Sequence, residues 1–306
     1  MRRLIFAAAV IVLSSGFTAG HTSLIPDTHP VQQNFKLEKV AGSVHVLFGS
    51  GGNIGVSYGA DGLLTIDTQF ARFVPQIKAE LAKLGSDKPR FVFNTHFHGD
   101  HTGGNVLFGA DAMIIAHQNV LERLMSKVDR QGNPQEPMAK AGLPSITYYD
   151  GLSIHMNGER IKAVHFPKGH TDGDTVIFFT ASNVVHLGDD FFAGRFPFVD
   201  LNSGGSVQGL TMNIGKLIQM IPADAKLIPG HGPVSTIDDL RKYHEMLVET
   251  TLTVRGHMKA GKSYDDVKKA GLPEKYKSWS PEGSFINEER WIETIYKSYE
   301  MKMKKE

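Results

Sequence analysis

The sequence predicts an α+β fold in which two mixed β-sheets pack face to face and helices flank the pair. Segments with strand character fall into two groups, each followed by helical patterns, and two such groups bury their apolar faces most simply against one another. The chain has 306 residues, 41% of them apolar, enough for a sizeable core. No low-complexity linker and no convincing repeat divides it, so one large domain is expected in place of two small ones.

Arg2 and Arg3 precede an apolar run, Leu4 to Leu13, that gives way to small residues, which is the order of a secretory signal. Cleavage is expected after Gly20, which makes residues 1–20 a signal peptide, 21–34 a polar N-terminal extension and 35–306 the domain. The run falls short of the roughly 20 residues that span a bilayer, so no stable membrane anchor is expected after cleavage. A periplasmic or secreted protein follows from that reading.

Within the domain, Val44 to Phe48, Ile54 to Tyr58 and Leu63 to Asp67 read as short strands separated by glycine-bearing turns, an opening β-meander. Phe73, Ile77, Leu81 and Leu84 recur at helical spacing, and Arg90 to Asn94 reads as a buried strand fed by that helix. The same order returns with strands near Ile161 to Phe166, Thr175 to Thr180 and Val184 to Leu187, a helix from Leu210 to Ile221, and a strand from Lys226 to Ile228. Helices follow to the end, the last with Ile286, Ile292, Ile295, Tyr296 and Tyr299 as its apolar stripe. Residues 125–147, with Gly132, Pro134, Pro137, Gly142 and Pro144, form the loosest region, read either as a lid over a site or as a solvated loop.

Charge and cysteine content narrow the chemistry. The 33 basic and 32 acidic side chains nearly cancel, so no global field recruits nucleic acid or a membrane surface, and a small-molecule substrate is expected. The absence of cysteine removes disulfides, thiolate ligands and a cysteine nucleophile together, leaving metal chemistry to 14 histidines and the carboxylates.

The decisive segment, Thr95-His96-Phe97-His98-Gly99-Asp100-His101-Thr102-Gly103-Gly104, directly follows a predicted strand. Alternate side chains of extended backbone share a face, so His96 and His98 can serve one metal ion, while Asp100 and His101 fall where the chain turns and can serve a second. Three more pieces follow strands of their own. His170 in Gly169-His170-Thr171-Asp172 would complete three nitrogens on the first ion, Asp189 after Gly188 would bridge the ions, and His231 in Pro229-Gly230-His231-Gly232 would join the second.

In this order the pieces resemble the metal-binding motifs of the metallo-β-lactamase superfamily, over about residues 35–235. The resemblance implies an αββα architecture and a metal pair, two Zn2+ per chain, with iron or manganese as other occupants of the same ligands. It also implies that Asp67, in Thr65-Ile66-Asp67-Thr68, supports the site without being a ligand. The best-known β-lactamase subclass places a cysteine on its second ion and another lacks the bridging aspartate, so this ligand set is more similar to the glyoxalase II, lactonase and general hydrolase branches.

Two ions about 3.5 to 4 Å apart can hold one water between them and lower its pKa toward neutrality. The expected function is therefore an exported dinuclear zinc hydrolase attacking the carbonyl of a lactone, ester, thioester or β-lactam amide with that hydroxide. Asp100 is expected to be catalytic as well as a ligand, orienting the nucleophile and passing on its proton. The alternative is an iron-dependent oxidoreductase of the same fold, similar to persulfide dioxygenases; a nuclease is disfavoured by charge and export. His45, His117, His155, His186, His244 and His257 stand alone and read as surface or hydrogen-bonded residues. His165, five residues before His170 at a strand end, reads either as a neighbour supporting the ligands or as another hydrogen-bonded residue, Phe191, Phe192, Phe196 and Phe198 as pocket wall or core, and Arg195 as a partner for a substrate carboxylate or a solvated residue.

Overall fold

The computed structural model describes residues 34–303; the expected signal peptide and nearly all of the extension lie outside the described residues. The chain opens in a meander of β1 (Lys36–Ala41), β2 (Val44–Phe48), β3 (Ile54–Gly59) and β4 (Gly62–Ile66), each antiparallel to its neighbour. Helix α1 (Val74–Ala82), with Pro75 in its first turn, crosses to β5 (Pro89–Phe93), which lies parallel to β4. Two single-turn helices, α2 (Gly99–Thr102) and α3 (Asn105–Phe108), lead to β6 (Met113–His117), and α4 (Gln118–Leu124) with a long loop leads to β7 (Ile146–Tyr148). Strands β5, β6 and β7 are parallel, so one sheet holds seven strands in chain order.

The second sheet runs β12-β11-β10-β9-β8, from β8 (Gly151–Met156), β9 (Glu159–His165), β10 (Thr175–Phe179), β11 (Val184–Phe192) and β12 (Lys226–His231). It is antiparallel except between β11 and β12, which helix α5 (Val207–Met220) joins as a crossover. Helices α6 (Ile237–Lys259), α7 (Tyr264–Ala270) and α8 (Glu288–Met303) follow, and α6 starts on a capping box between Thr236 and Asp239. No described helix is long and apolar enough to cross a membrane.

Side-chain alternation sorts these elements into layers. Val46, Leu64, Ile66, Phe93 and Ile115 of the first sheet pack against Ile161, Ile177, Phe179 and Ile228 of the second. On the outer face of the first sheet, Val56, Leu63, Val92 and Ile114 meet Ile77 and Leu81 of α1. On the outer face of the second, Val185, Leu187 and Leu227 meet Leu210, Ile214, Leu240, Tyr243 and Trp291 of α5, α6 and α8. Neighbouring Val92 and Phe93 thus serve different layers, and the order helix, sheet, sheet, helix is the expected one.

The structure adds strands that the sequence reading does not contain: β1, β6, β7 and β8. It also moves one boundary that matters for chemistry. Gly188 and Asp189 were expected after a strand ending at Leu187, yet β11 continues to Phe192, with Gly188 at a bulge of φ +54. Two successive carboxylates, Asp189 and Asp190, interrupt the apolar pattern there, and the pairing with β12 skips from Gly188 to Phe192.

Candidate metal centre

The carboxyl ends of β5, β11 and β12 and the connection from β9 to β10 open on one edge of the sandwich, and all seven predicted residues meet there. Three sets of donor atoms each lie within 4.8 Å: His96, His98 and His170; His96, His101 and Asp189; Asp100, His101 and His231. Shared members join the sets into one cluster. After β5 the backbone stays extended to His98, at φ −62 and ψ 149, which caps α2; alternation puts His96 and His98 together, and the helical turn carries Asp100 and His101 to the other side. Close approach dictates the glycines: a Cβ on Gly52 would overlap the His101 ring, and one on Gly230 would overlap the Asp189 carboxylate.

The outer nitrogens of His96, His98 and His170 are committed, which fixes the inner ones. His170 Nδ1 lies 2.7 Å from the carbonyl oxygen of Phe198, an acceptor only, so Nδ1 carries the proton. His98 Nε2 donates to the Asp200 carboxylate at 3.0 Å. Thr95 Oγ1 gives its own proton to Asp67 at 2.7 Å and therefore accepts from His96 Nδ1 at 3.0 Å. Three bare nitrogens remain pointed at one another: His98 Nδ1 is 3.1 Å from His96 Nε2 and 2.9 Å from His170 Nε2. Converging lone pairs repel unless something positive lies between them.

The other half of the cluster mixes imidazole with carboxylate. Asp189 turns Oδ1 toward His101 Nε2 at 3.1 Å and His231 Nε2 at 3.5 Å, and Oδ2 toward His170 Nε2 at 3.5 Å and His96 Nε2 at 3.9 Å. Asp100 Oδ2 lies 3.3 Å from His231 Nε2 and 3.6 Å from His101 Nε2. Despite these approaches, buried His101 Nε2 and Asp189 Oδ1 have no hydrogen-bond partner. Buried ligand atoms left without a hydrogen-bond partner fit a cation that binds them.

Electrostatics divides the two halves. Burial, with His101 and His170 close by, holds His96 well below the ordinary imidazole value, and burial brings His170 down to about 4. At His101 burial acts the same way, but Asp189, Asp100 and Asp67 overcome it and raise the group well above 6.5. At His231 Asp189 and Asp100 overcome burial and raise the group to about 9. Burial opposes ionisation of Asp100, yet His101 and His231 bring it to about 2, and the same two histidines hold Asp189 well below the usual carboxylate range.

Asp189, not its neighbour Asp190, faces the cluster. Asp190 lies on the opposite face of β11, where it accepts the His170 N–H at 3.3 Å, and burial beside Asp174 raises it well above the usual carboxylate range. Several supporting residues carry no signal at the level of spacing. Asp200 bonds His98 from 102 positions away, and Phe198 contributes only a carbonyl. His186, read as solitary, is buried; Nε2 donates to the Asn53 carbonyl at 3.0 Å while Nδ1 accepts the Gly188 N–H at 3.2 Å, pinning the bulge before Asp189. Of the two readings of His165 the structure favours the hydrogen-bonded one: Nδ1 lies 2.8 Å from the Asp174 carbonyl oxygen and the ring stacks on His117 at 3.7 Å.

A cavity of about 840 Å³ opens over Asp100, Asp189, His98 and His231. Phe192, Phe196 and Phe198 line it, whereas Phe191 packs into the core against Tyr243. Arg195 is exposed at its edge. Residues 126–138 supply another wall, with Ser126, Val128, Arg130, Gln131 and Met138 facing the cavity, so this part of the loose segment lies against the site.

Residues 51–250 match the sequence profile described as the metallo-beta-lactamase superfamily. The chain belongs to that superfamily. Among its relatives, a hydroxyacylglutathione hydrolase of Synechococcus sp. is 32% identical over 139 residues, which is 42% of this chain and 46% of that protein. The lactamase-like protein aptB of Emericella nidulans is 29% identical over 151 residues, covering 49% of this chain and 40% of its own length. These matches span less than half the length of either relative. Among solved structures, a double mutant of the sec-alkyl sulfatase PisA1 superposes with a TM-score of 0.67 over 87% of this chain and 50% of that one, at 14% identity, a likeness of fold. The seven residues thus form the candidate metal centre of a metallo-beta-lactamase superfamily member.

Proposed function

We propose that this protein is an exported hydrolase that holds two zinc ions and cleaves a small-molecule acyl bond, in a lactone, ester, thioester or β-lactam amide. The observation that carries the reading is the convergence of bare nitrogens from His96, His98 and His170 beside the unsatisfied His101 Nε2 and Asp189 Oδ1. His96, His98 and His170 would hold one ion and Asp100, His101 and His231 the other. Asp189, with an oxygen toward each set, would stand between them. The donors are nitrogen and oxygen without sulfur, a set that suits zinc and also accepts iron or manganese. Bound there, the metal supplies the Lewis acidity that activates water at neutral pH and offsets charge developing on a carbonyl oxygen.

The chain's own groups do the rest. Asp100, half-buried and facing the cavity, stays ionised near neutrality, so its carboxylate can accept a hydrogen bond from the attacking water and orient it; passing on that water's proton is the further role proposed for it. Asp67, Asp200 and the Phe198 carbonyl hold the imidazoles in the tautomers that leave the inner nitrogens bare. The aromatic wall limits bulk water around the reacting groups. The hydroxyacylglutathione hydrolases among the relatives favour thioesters within the class. Export rests on Arg2, Arg3 and the apolar run after them.

Protein purified without added metal should contain zinc and turn over at least one of nitrocefin, a lactone or a thioester, with loss on chelation. Asp100→Asn should retain the fold and lose at least about 100-fold in turnover, the scale expected for removal of a proton-transfer group. Iron content with oxygen consumption would point to the oxidoreductase instead. No metal-dependent turnover across the panel would end the hydrolase reading.

A further inference from the structure

The cavity is not uniform, and its asymmetry says which part of a substrate goes where. One lip comes from Leu124, Val128 and Met138 and the other from Phe198, Phe285 and Ile286. Val128 is 52% exposed and Phe285 66% exposed, large apolar side chains held at the mouth. From the mouth inward the aromatic surface is continuous: Phe285 meets Phe198 at 5.7 Å between ring centres, and Phe198 meets both His98 and His170 at 5.7 Å. The cations on this side are engaged within the protein. Arg130 lies 4.9 Å over the Phe198 ring and contacts Asp200, and Arg123 pairs with Asp172 at 2.6 Å. Among the described residues both cations of this wall are thus paired, and the other charged side chains that line it, Asp129 and Glu136, are acidic and would not anchor an anionic acyl chain.

The opposite side differs. Phe192 stacks on His231, and beside it Arg195, exposed and without an ion pair among the described residues, borders both the main cavity and a shallow depression lined by Ser50, Asn53 and Gly232. The outer lip at 284–286 lies beyond residue 250, where the family match ends.

We propose that the substrate's acyl part is a long alkyl or aryl group that lies along Phe285 and Phe198 toward His98 and His170, with the more polar leaving group on the Arg195 side. The inference deepens the hydrolase reading and rests on it. A two-carbon acyl group would leave most of about 840 Å³ as water against aromatic faces. Each methylene that displaces this water strengthens binding by about twofold to fourfold, and a transition state bound on the same wall gains with it.

The test uses the zinc-loaded protein and thioesters of one leaving group with acyl chains of two, six and ten carbons, together with the 2-naphthoyl compound. Binding of acetate and of decanoate by calorimetry gives a readout that does not need turnover. We expect kcat/KM to rise about 100-fold or more from acetyl to decanoyl, and decanoate to bind where acetate does not. Phe285→Ser, at an exposed position, should lower the decanoyl-to-acetyl ratio about tenfold. A flat series with metal-dependent turnover overturns the inference and leaves the hydrolase reading standing. No turnover of any member, with decanoate still bound, removes thioesters from the hydrolase reading and keeps the apolar ligand site.

Discussion

Oδ2 of Asp67 lies 2.7 Å from Nδ1 of His101, and that contact decides which nitrogen of His101 faces the cavity. The same carboxylate accepts the backbone N–H and the hydroxyl of Thr95, so it sets the orientation of His101 directly and of His96 through Thr95. Asp67→Asn should place an amide donor against groups that already donate. Asparagine also tolerates the positive φ of 68 at this position, so the change tests charge and hydrogen bonding without adding backbone strain. Zinc affinity measured by chelator competition should fall about 10- to 100-fold with the far-UV circular dichroism unchanged. An unaltered affinity would remove Asp67 from any role at the site.

Chelated protein should show a specific pH dependence. His231 is raised from 6.5 to about 9, chiefly because Asp189 and Asp100 outweigh the effect of burial. A folded-state pKa above the unfolded value stabilises fully below about 6.5, and that contribution is lost as pH rises toward about 9. Stability to urea in chelator should therefore decline across this interval. Zinc must displace the protons held there, so its binding at pH 7.5 should release protons, detected as a dependence of the binding enthalpy on buffer ionisation. Binding with no proton release would contradict the charge balance of the cluster in the chelated protein.

Much of this site is legible because its residues come as short strings at strand ends. His96, His98, Asp100 and His101 follow β5 so closely that alternation and one helical turn suffice to place them. Asp200 has no comparable signal, since its relation to His98 exists only after the segment following β11 has folded back. The strands that escape the pattern fail for a different reason. Two of the three residues of β7 are exposed, and β8 is an edge strand with only Met156 fully buried, so neither shows the run of apolar residues that marks a buried strand. His165 lies only five residues before His170, yet it is still on β9, where Nδ1 meets the Asp174 carbonyl and the ring stacks on His117.

His117 supplies a pH effect of opposite sign. Its Nδ1 accepts the Asn119 N–H at 3.1 Å as the cap of α4, which needs a neutral ring, and the His165 ring stacks on it. Burial first and His165 second bring His117 down to about 4, against weaker opposition from a hydrogen bond to the Tyr149 backbone and from Asp172 and Glu122. A depressed histidine leaves stability intact above about 6.5 and erodes it as pH falls toward about 4. His117→Asn keeps a good capping acceptor and removes the titration, so the loss of urea stability between these limits should shrink. If the acid limb of the stability profile is unchanged, His117 does not drive it.

Trp291 links the C-terminal helix to the cavity wall. It is fully buried in α8, stacks on Phe196 at 6.1 Å between ring centres, and donates its indole N–H to Thr250 Oγ1 at 3.0 Å. Trp291→Ala would leave a cavity behind Phe196 and should cost about 3–5 kcal/mol, read from denaturant unfolding. Trp291→Phe keeps most of the volume and gives up the hydrogen bond; Thr250 still donates to the Met246 carbonyl at 2.7 Å, so only an acceptor site is left open. Its cost should be nearer about 1–2 kcal/mol. The gap between the two variants measures the packing contribution alone. Equal costs would mean that the hydrogen bond, not the indole's bulk, fastens α8 to the sandwich and backs Phe196.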